Sequence, residues 1–179
     1  RDSSTSRGLG DVYKRQVETN AHLLKYDSIH GRFPGKVEVS NGKIDTGLGS
    51  INVSSERDPA NLQWKDVDIA LECTGIFTDK EKASLHLKNG SKRVLVSAPS
   101  NGADKTIVYG VNHKSLTSEH IIVSNASCTT NCLGPVAHVL HQNFEIEKGF
   151  MTTIHAFTSD QRILDNSHKD PRRARAASQ

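Results

Sequence analysis

Between residues 67 and 124, short apolar runs recur with turn-forming or helix-forming segments between them, and this alternation constrains the fold more than any other feature. Residues 67–72 (VDIALE), 93–97 (RVLVS), 107–109 (IVY) and 121–124 (IIVS) each have the length of a strand. Strands so short and so apolar are covered on both faces, which calls for helices on either side of a parallel sheet. The alternation predicts the doubly wound α/β class, in which ligands meet the carboxyl ends of the strands.

The flanking segments are read from local chemistry. Residues 19–26 suit a short helix and residues 30–35, with their Gly and Pro, a turn. Residues 36–39 and 43–45 flank Asn41-Gly42, a pair that tolerates positive φ at both central positions, and so predict a tight β-hairpin. Residues 48–53 predict a further strand. After the Asp58-Pro59 turn, Thr78 and Glu81 have the spacing of a capping box at the start of a short helix. Cys132, Leu133, Val136, Ala137, Leu140 and Phe144 keep helical spacing, so residues 128–144 predict a buried amphipathic helix with Gly134-Pro135 as a kink. Residues 149–157 (GFMTTIHAF) predict a strand.

The chain has 179 residues and a formal charge of +3, and only Arg172, Arg173 and Arg175 form a basic cluster. Nothing in this pattern suggests nucleic acid as the main partner, so none is expected, and a small anionic substrate is left. No apolar run approaches the roughly 20 residues that span a bilayer, so no membrane partner is expected and the location read is cytoplasmic. Three cysteines, two of them only four residues apart, do not make a disulfide framework, and reduced thiols are expected.

Chemistry concentrates in SNASCTTNCL, residues 124–133. An apolar strand ends, small polar residues turn the chain, and Cys128 falls at the first turn of a helix, where unpaired amides and the helix dipole favour a thiolate. The thiolate is the nucleophile of a covalent mechanism; a small buried hydrophobe is the alternative reading. Cys132, one turn on, reads as packing, and Cys73 as packing or loop lining. His155 lies on the predicted strand after the helix and is a candidate base for Cys128, an ordinary histidine being the alternative. The arginine cluster, with Thr129 and Thr158, offers phosphate ligands or merely a solvated basic face. A zinc site on Cys128, Cys132 and a histidine has poor spacing.

ASCTTNCL at residues 126–133 resembles the active-site signature of the glyceraldehyde-3-phosphate dehydrogenases. AHLLKYDSIHGRFPG (21–35), ECTGIFTDKEKA (72–83), VLVSAP (94–99) and TTIHAFTSDQRILD (152–165) resemble the same family in the same order. The resemblance implies a type I phosphorylating oxidoreductase that converts glyceraldehyde 3-phosphate and inorganic phosphate to 1,3-bisphosphoglycerate, with NAD or NADP as cofactor. It implies Cys128 as nucleophile and His155 as base. It further implies Ser127, Thr129, Thr158 and Arg173 (or Arg175) around substrate and attacking phosphate, Thr74, Gly75, Phe77 and Ser97 around the cofactor, and no metal. Family members are usually homotetramers, and the segment from Ile163 resembles a loop that reaches a neighbouring subunit.

The same resemblance divides the chain. Residues 17–127 correspond to a Rossmann-like dinucleotide-binding domain lacking its first βα unit, and residues 128–179 to the truncated start of an α+β catalytic domain. Residues 1–16 are expected to be a non-native or disordered tail, since RGLGDVYKRQ resembles adapter-derived sequence. The chain is thus expected to be an interior fragment, doubtful as a complete enzyme. Asn166-Ser167 stands where many NAD-specific members have Leu-Pro and resembles members that also accept NADP. Erythrose-4-phosphate dehydrogenase, a cysteine hydrolase and a non-catalytic binding module or fragment are the competing readings.

Overall fold

A computed structural model describes residues 16–177. The expected tail falls outside these residues except for Gln16. The described chain forms two compact units, one of residues up to 71 with 81–94, the other of residues 72–80 with 95–177.

In the first unit, helix α1 (Gln16–Lys25) packs on a three-stranded antiparallel sheet of β3 (Glu38–Ser40), β4 (Lys43–Asp45) and β5 (Ser50–Asn52). Before that sheet, β1 (Tyr26–Asp27) and β2 (Gly31–Arg32) pair where only a turn was expected. Asp27 holds their connection, its carboxylate accepting the Ile29 and His30 amides at 2.8 Å each. The β3–β4 hairpin turns on Asn41 at φ 50 and Gly42 at φ 73, with Ser40 opposite Lys43, as the Asn-Gly pair predicted. The central strand β4 buries Ile44.

Helix α3 (Leu85–Lys88) is anchored in the same unit by polar bonds. Trp64 Nε1 donates to His86 Nδ1 at 3.0 Å, and Asn89 Nδ2 donates to the Pro59 carbonyl at 3.2 Å. The helix ends at Gly90, whose φ of +107 is essentially a glycine conformation.

A four-stranded sheet has the order β6 (Ile69–Glu72), β7 (Arg93–Val96), β9 (Ile122–Ser124), β8 (Lys105–Thr106). Strands β8 and β9 are parallel, pairing Lys105 with Val123 and Thr106 with Ser124. At the carboxyl ends the Ser97 amide donates to the Glu72 carbonyl at 3.0 Å and the Asn125 amide to the Val96 carbonyl at 2.9 Å. All three residues of β9 are buried, and Val96 is fully buried. Burying a valine contributes about 1.5 kcal/mol or more, so these strand ends are held by packing as well as by the ladder. The α/β class with a parallel sheet is as the alternation predicted.

Four expectations need correction. The strand expected at 107–109 lies earlier, at Lys105–Thr106: the Val108 amide turns to Asn112 Oδ1 at 2.7 Å, which takes the chain off the sheet. Helix α2 (Lys80–Ala83) starts one residue too late for a capping box on Thr78, and the Lys80 amide donates to the Asn101 carbonyl at 2.9 Å instead. Helix α4 (Cys128–Phe144) has the predicted bounds, but its apolar face is not buried: Leu133, Val136, Leu140 and Phe144 are all exposed. Residues 149–157 form no strand, because no other described strand pairs with them.

Asp104 ties the sheet to its loops. Its carboxylate accepts the Ile121 amide at 2.9 Å and the Ile122 amide at 2.8 Å, and Lys80 donates to its other oxygen. The Ile122 amide first and the Lys80 ammonium next hold this carboxyl at about 2. Because the folded value lies below the ordinary carboxylate value of about 3.9, the stabilisation is complete above pH ~4 and is lost as pH falls toward 2. Asp104→Ala is expected to cost about 2 kcal/mol near neutral pH, from two amides losing an acceptor. Urea titrations across pH should show that difference shrinking below pH ~4; a constant difference would contradict the assignment.

Candidate active site

Cys128 is the first residue of α4, and Ser127 caps the helix. The Ser127 hydroxyl oxygen accepts the Thr130 amide at 3.1 Å and meets the Thr130 hydroxyl at 2.8 Å. The chain reaches this cap through Ala126, which adopts a left-handed φ of 57. A strand, a tight turn and a helix start therefore present the thiol at the carboxyl end of the sheet, as the spacing of SNASCTTNCL predicted.

Cys128 Sγ lies 3.2 Å from His155 Nε2, although the two residues are 27 apart in the chain. The other ring nitrogen, Nδ1, donates to the Ala156 carbonyl at 2.6 Å, which fixes the tautomer and leaves Nε2 facing the thiol. The His155 ring chiefly, then the Thr129 hydroxyl and amide, pull the Cys128 thiol below its ordinary value. Reciprocally, the Ala156 carbonyl and then Cys128 raise His155. Both shifts favour a thiolate facing an imidazolium, an arrangement suited to nucleophilic attack followed by proton transfer at one nitrogen. His155 reaches this position from an irregular, exposed segment rather than from the expected strand.

The other predicted residues fall into groups. Thr129 sits in the first turn of α4 beside the thiol. Thr158 turns to Gln161, its amide and hydroxyl donating to Gln161 Oε1 at 2.7 and 2.9 Å. Arg173 is ion-paired with Asp160, and its Nε lies 3.8 Å from an Asp170 oxygen. Arg175 pairs with Asp165 at 3.0 Å. The cationic cluster is thus drawn into a loop held by its own carboxylates. Cys132 and Cys73 are exposed, against the expectation that Cys132 packs inward.

Thr74, Gly75 and Phe77 follow β6, and Ser97 follows β7, at the carboxyl ends where the sheet topology places ligands. The Thr74 amide and hydroxyl donate to the buried Glu72 carboxylate, while the Thr74 hydroxyl oxygen accepts the Ile76 amide at 3.1 Å. Gly75 has a φ of +73 with no atom within 4 Å of where a Cβ would stand, so its backbone is open to close approach. A cavity of ≈ 520 Å³ is lined by Thr78, Asp79, Pro99, Ser100, Asn101, Ser127 and Thr130 among others, though none of Thr74, Gly75, Phe77, Ser97, Cys128 and His155 lines it. Ser100 Oγ is buried without a hydrogen-bond partner in its wall. The cavity's hydroxyls and the unpaired buried oxygen of Ser100 would fit the neutral polar edge of a nicotinamide nucleotide.

Asn131, which the motif resemblance places near the site without assigning it a role, is part of the turn that presents the thiol. Its side-chain amide donates to the Asn125 carbonyl at 2.7 Å and to the Ser127 carbonyl at 2.9 Å, stitching the turn to the helix. Its position one turn after Ser127 in CTTN was the available signal.

The family model described as the NAD binding domain of glyceraldehyde 3-phosphate dehydrogenase matches residues 9–80, and that of the C-terminal domain matches residues 127–179. The glyceraldehyde-3-phosphate dehydrogenase of Cereibacter sphaeroides is 66% identical over 162 residues, covering 90% of this chain and 49% of that protein. That of Xanthobacter flavus is 66% identical over 163 residues, with the same two coverages. That of Thermotoga maritima is 52% identical over 163 residues, again covering 90% and 49%. The chain spans about half the length of the curated relatives it matches. With both domains matched in order and the thiol and imidazole in contact, the chain belongs to the glyceraldehyde-3-phosphate dehydrogenase family.

Proposed function

We propose that the protein takes part in the phosphorylating oxidation of glyceraldehyde 3-phosphate to 1,3-bisphosphoglycerate, with Cys128 as nucleophile and His155 as base. The observation that carries this reading is the 3.2 Å approach of Sγ to Nε2 at a helix start. The Cys128 thiolate attacks the aldehyde carbon to give a thiohemiacetal, and His155 holds the proton of its hydroxyl through Nε2. NAD, when bound, supplies the hydride acceptor. Oxidation at that carbon leaves a thioester on Cys128, and inorganic phosphate opens it, returning the thiolate and releasing the acyl phosphate.

Thr74, Gly75, Phe77 and Ser97 border the cofactor in this reading. Ser127, Thr129 and Thr158 face the phosphates, and Arg173 joins them by exchanging Asp160 for a phosphate oxygen. The match to an NAD binding domain favours NAD, while Asn166-Ser167 extends the proposal to NADP. The relatives' names favour glyceraldehyde 3-phosphate over erythrose 4-phosphate. Residues 17–127 would form the cofactor-binding part and residues 128–179 the start of the catalytic part, in a cytoplasmic homotetramer.

The last step runs in reverse without cofactor, which gives a direct test. Incubation with 1,3-bisphosphoglycerate is expected to place a phosphoglyceroyl thioester on Cys128 and release phosphate, as read by peptide mass spectrometry. Acylation elsewhere, or none at Cys128, counts against the reading. With NAD, glyceraldehyde 3-phosphate and phosphate together, absorbance of reduced nicotinamide that requires phosphate separates this chemistry from a cysteine hydrolase.

A further inference from the structure

We propose that Ser124 is a positioning residue for the Cys128 thiol, its buried hydroxyl holding the left-handed turn at Ala126 from which α4 starts. The proposal rests on the reading of Cys128 as nucleophile. Ser124 ends β9 and is 0% exposed. Its Oγ donates to the Ala98 carbonyl at 2.7 Å and accepts the Ala126 amide at 3.1 Å. Its own carbonyl accepts the Ile107 amide at 2.8 Å, so the residue is fixed from the sheet side as well.

Ala126 is 6% exposed and has a φ of 57, a region that residues with a Cβ rarely adopt. Its amide is turned to Ser124, and without that oxygen the turn would combine an unfavourable backbone with an unpaired buried donor. The next residue is the helix cap and the one after it is Cys128. A small relaxation at Ala126 therefore displaces the thiol from His155 before it disturbs the rest of the helix. Asn131 supports the turn from the helix side, through the Asn125 and Ser127 carbonyls, but does not touch the Ala126 amide. The same Ser124 hydroxyl also fastens the loop after β7, so one buried oxygen joins the two strand ends between which substrate and cofactor would meet.

The experiment compares iodoacetamide alkylation of Cys128 and Cys132 in the full chain across pH, resolved by peptide mass spectrometry. Cys132 lies one turn further along α4 and reports general loosening of the helix. Ser124→Ala is expected to slow Cys128 about tenfold at pH 7 relative to Cys132 and to move its midpoint toward the ordinary thiol value of about 8.5. Adding Ala126→Gly in the same chain is expected to restore most of the rate, since glycine adopts a positive φ unaided. A purely structural role would alter both thiols together and would not be rescued at residue 126.

An unchanged ratio of the two thiols in folded Ser124→Ala overturns the proposal, as does a loss that Ala126→Gly fails to recover. Both results leave the nucleophile reading standing, whereas an unactivated Cys128 in the parent chain overturns both. Should Ser124→Ala not fold, Ser124→Cys carries the same test with a weaker acceptor. A slower Cys128 supports the proposal, and an unchanged ratio removes it.

Discussion

His155→Ala is expected to slow alkylation of Cys128 at pH 6.5 by up to about a hundredfold while leaving Cys73 and Cys132 unaffected. An unassisted thiol with a pKa of about 8.5 is only about 1% ionised at that pH, and the thiolate is the reacting species. In the folded protein the imidazole is the foremost cause of the lowered Cys128 value. Removing it leaves the Thr129 hydroxyl and amide and the helix start, each of which favours the anion more weakly. The loss should therefore be large at pH 6.5 and vanish near pH 9, where both proteins carry the thiolate. A rate unchanged at pH 6.5 would separate the imidazole from the thiol despite their 3.2 Å contact.

Gly90→Ala is expected to give the largest loss of stability among single glycine replacements, about 2 to 3 kcal/mol. At φ +107 a residue with a Cβ is strained wherever space allows, and here the Cβ would also stand 3.2 Å from the Trp64 carbonyl oxygen. Gly75→Ala provides the comparison, since its φ of +73 is left-handed but the Cβ would meet nothing. That variant should lose only about 1 kcal/mol. Urea unfolding followed by the fluorescence of Trp64, the single tryptophan, reads both. Equal losses would mean that backbone strain alone matters and that the Trp64 contact adds nothing.

What was legible in the sequence follows the range of the interactions concerned. Asn41-Gly42 announced its hairpin because two adjacent residues set that turn. The strand, cap and helix of SNASCTTNCL could be placed because Ser127 and Thr130 interact within one turn. His155 was different: its place after the helix made it a candidate base with an ordinary histidine as the alternative, and the family resemblance gave it the role, since its approach to Cys128 is long-range and periodicity carries no trace of it. Residues 149–157 look like a strand because Phe, Thr and Ile favour one, yet a strand needs a partner that no described residue supplies. The exposed face of α4 makes the same point, for its pattern states what the helix can bury and not what covers it. Ser124 and Asn131 were given no role because small polar residues show their bonds only when the turn is seen in three dimensions.

The central claim is that Cys128 is an activated nucleophile, and the pH dependence of its alkylation in the unmodified chain tests it most directly. Iodoacetamide labelling should be followed separately for Cys73, Cys128 and Cys132, with circular dichroism confirming the fold in the same samples. The account predicts that Cys128 alone reacts fast with a midpoint well below 8.5, while the other two rise together at higher pH. Three thiols reacting equally slowly in a folded sample would contradict it.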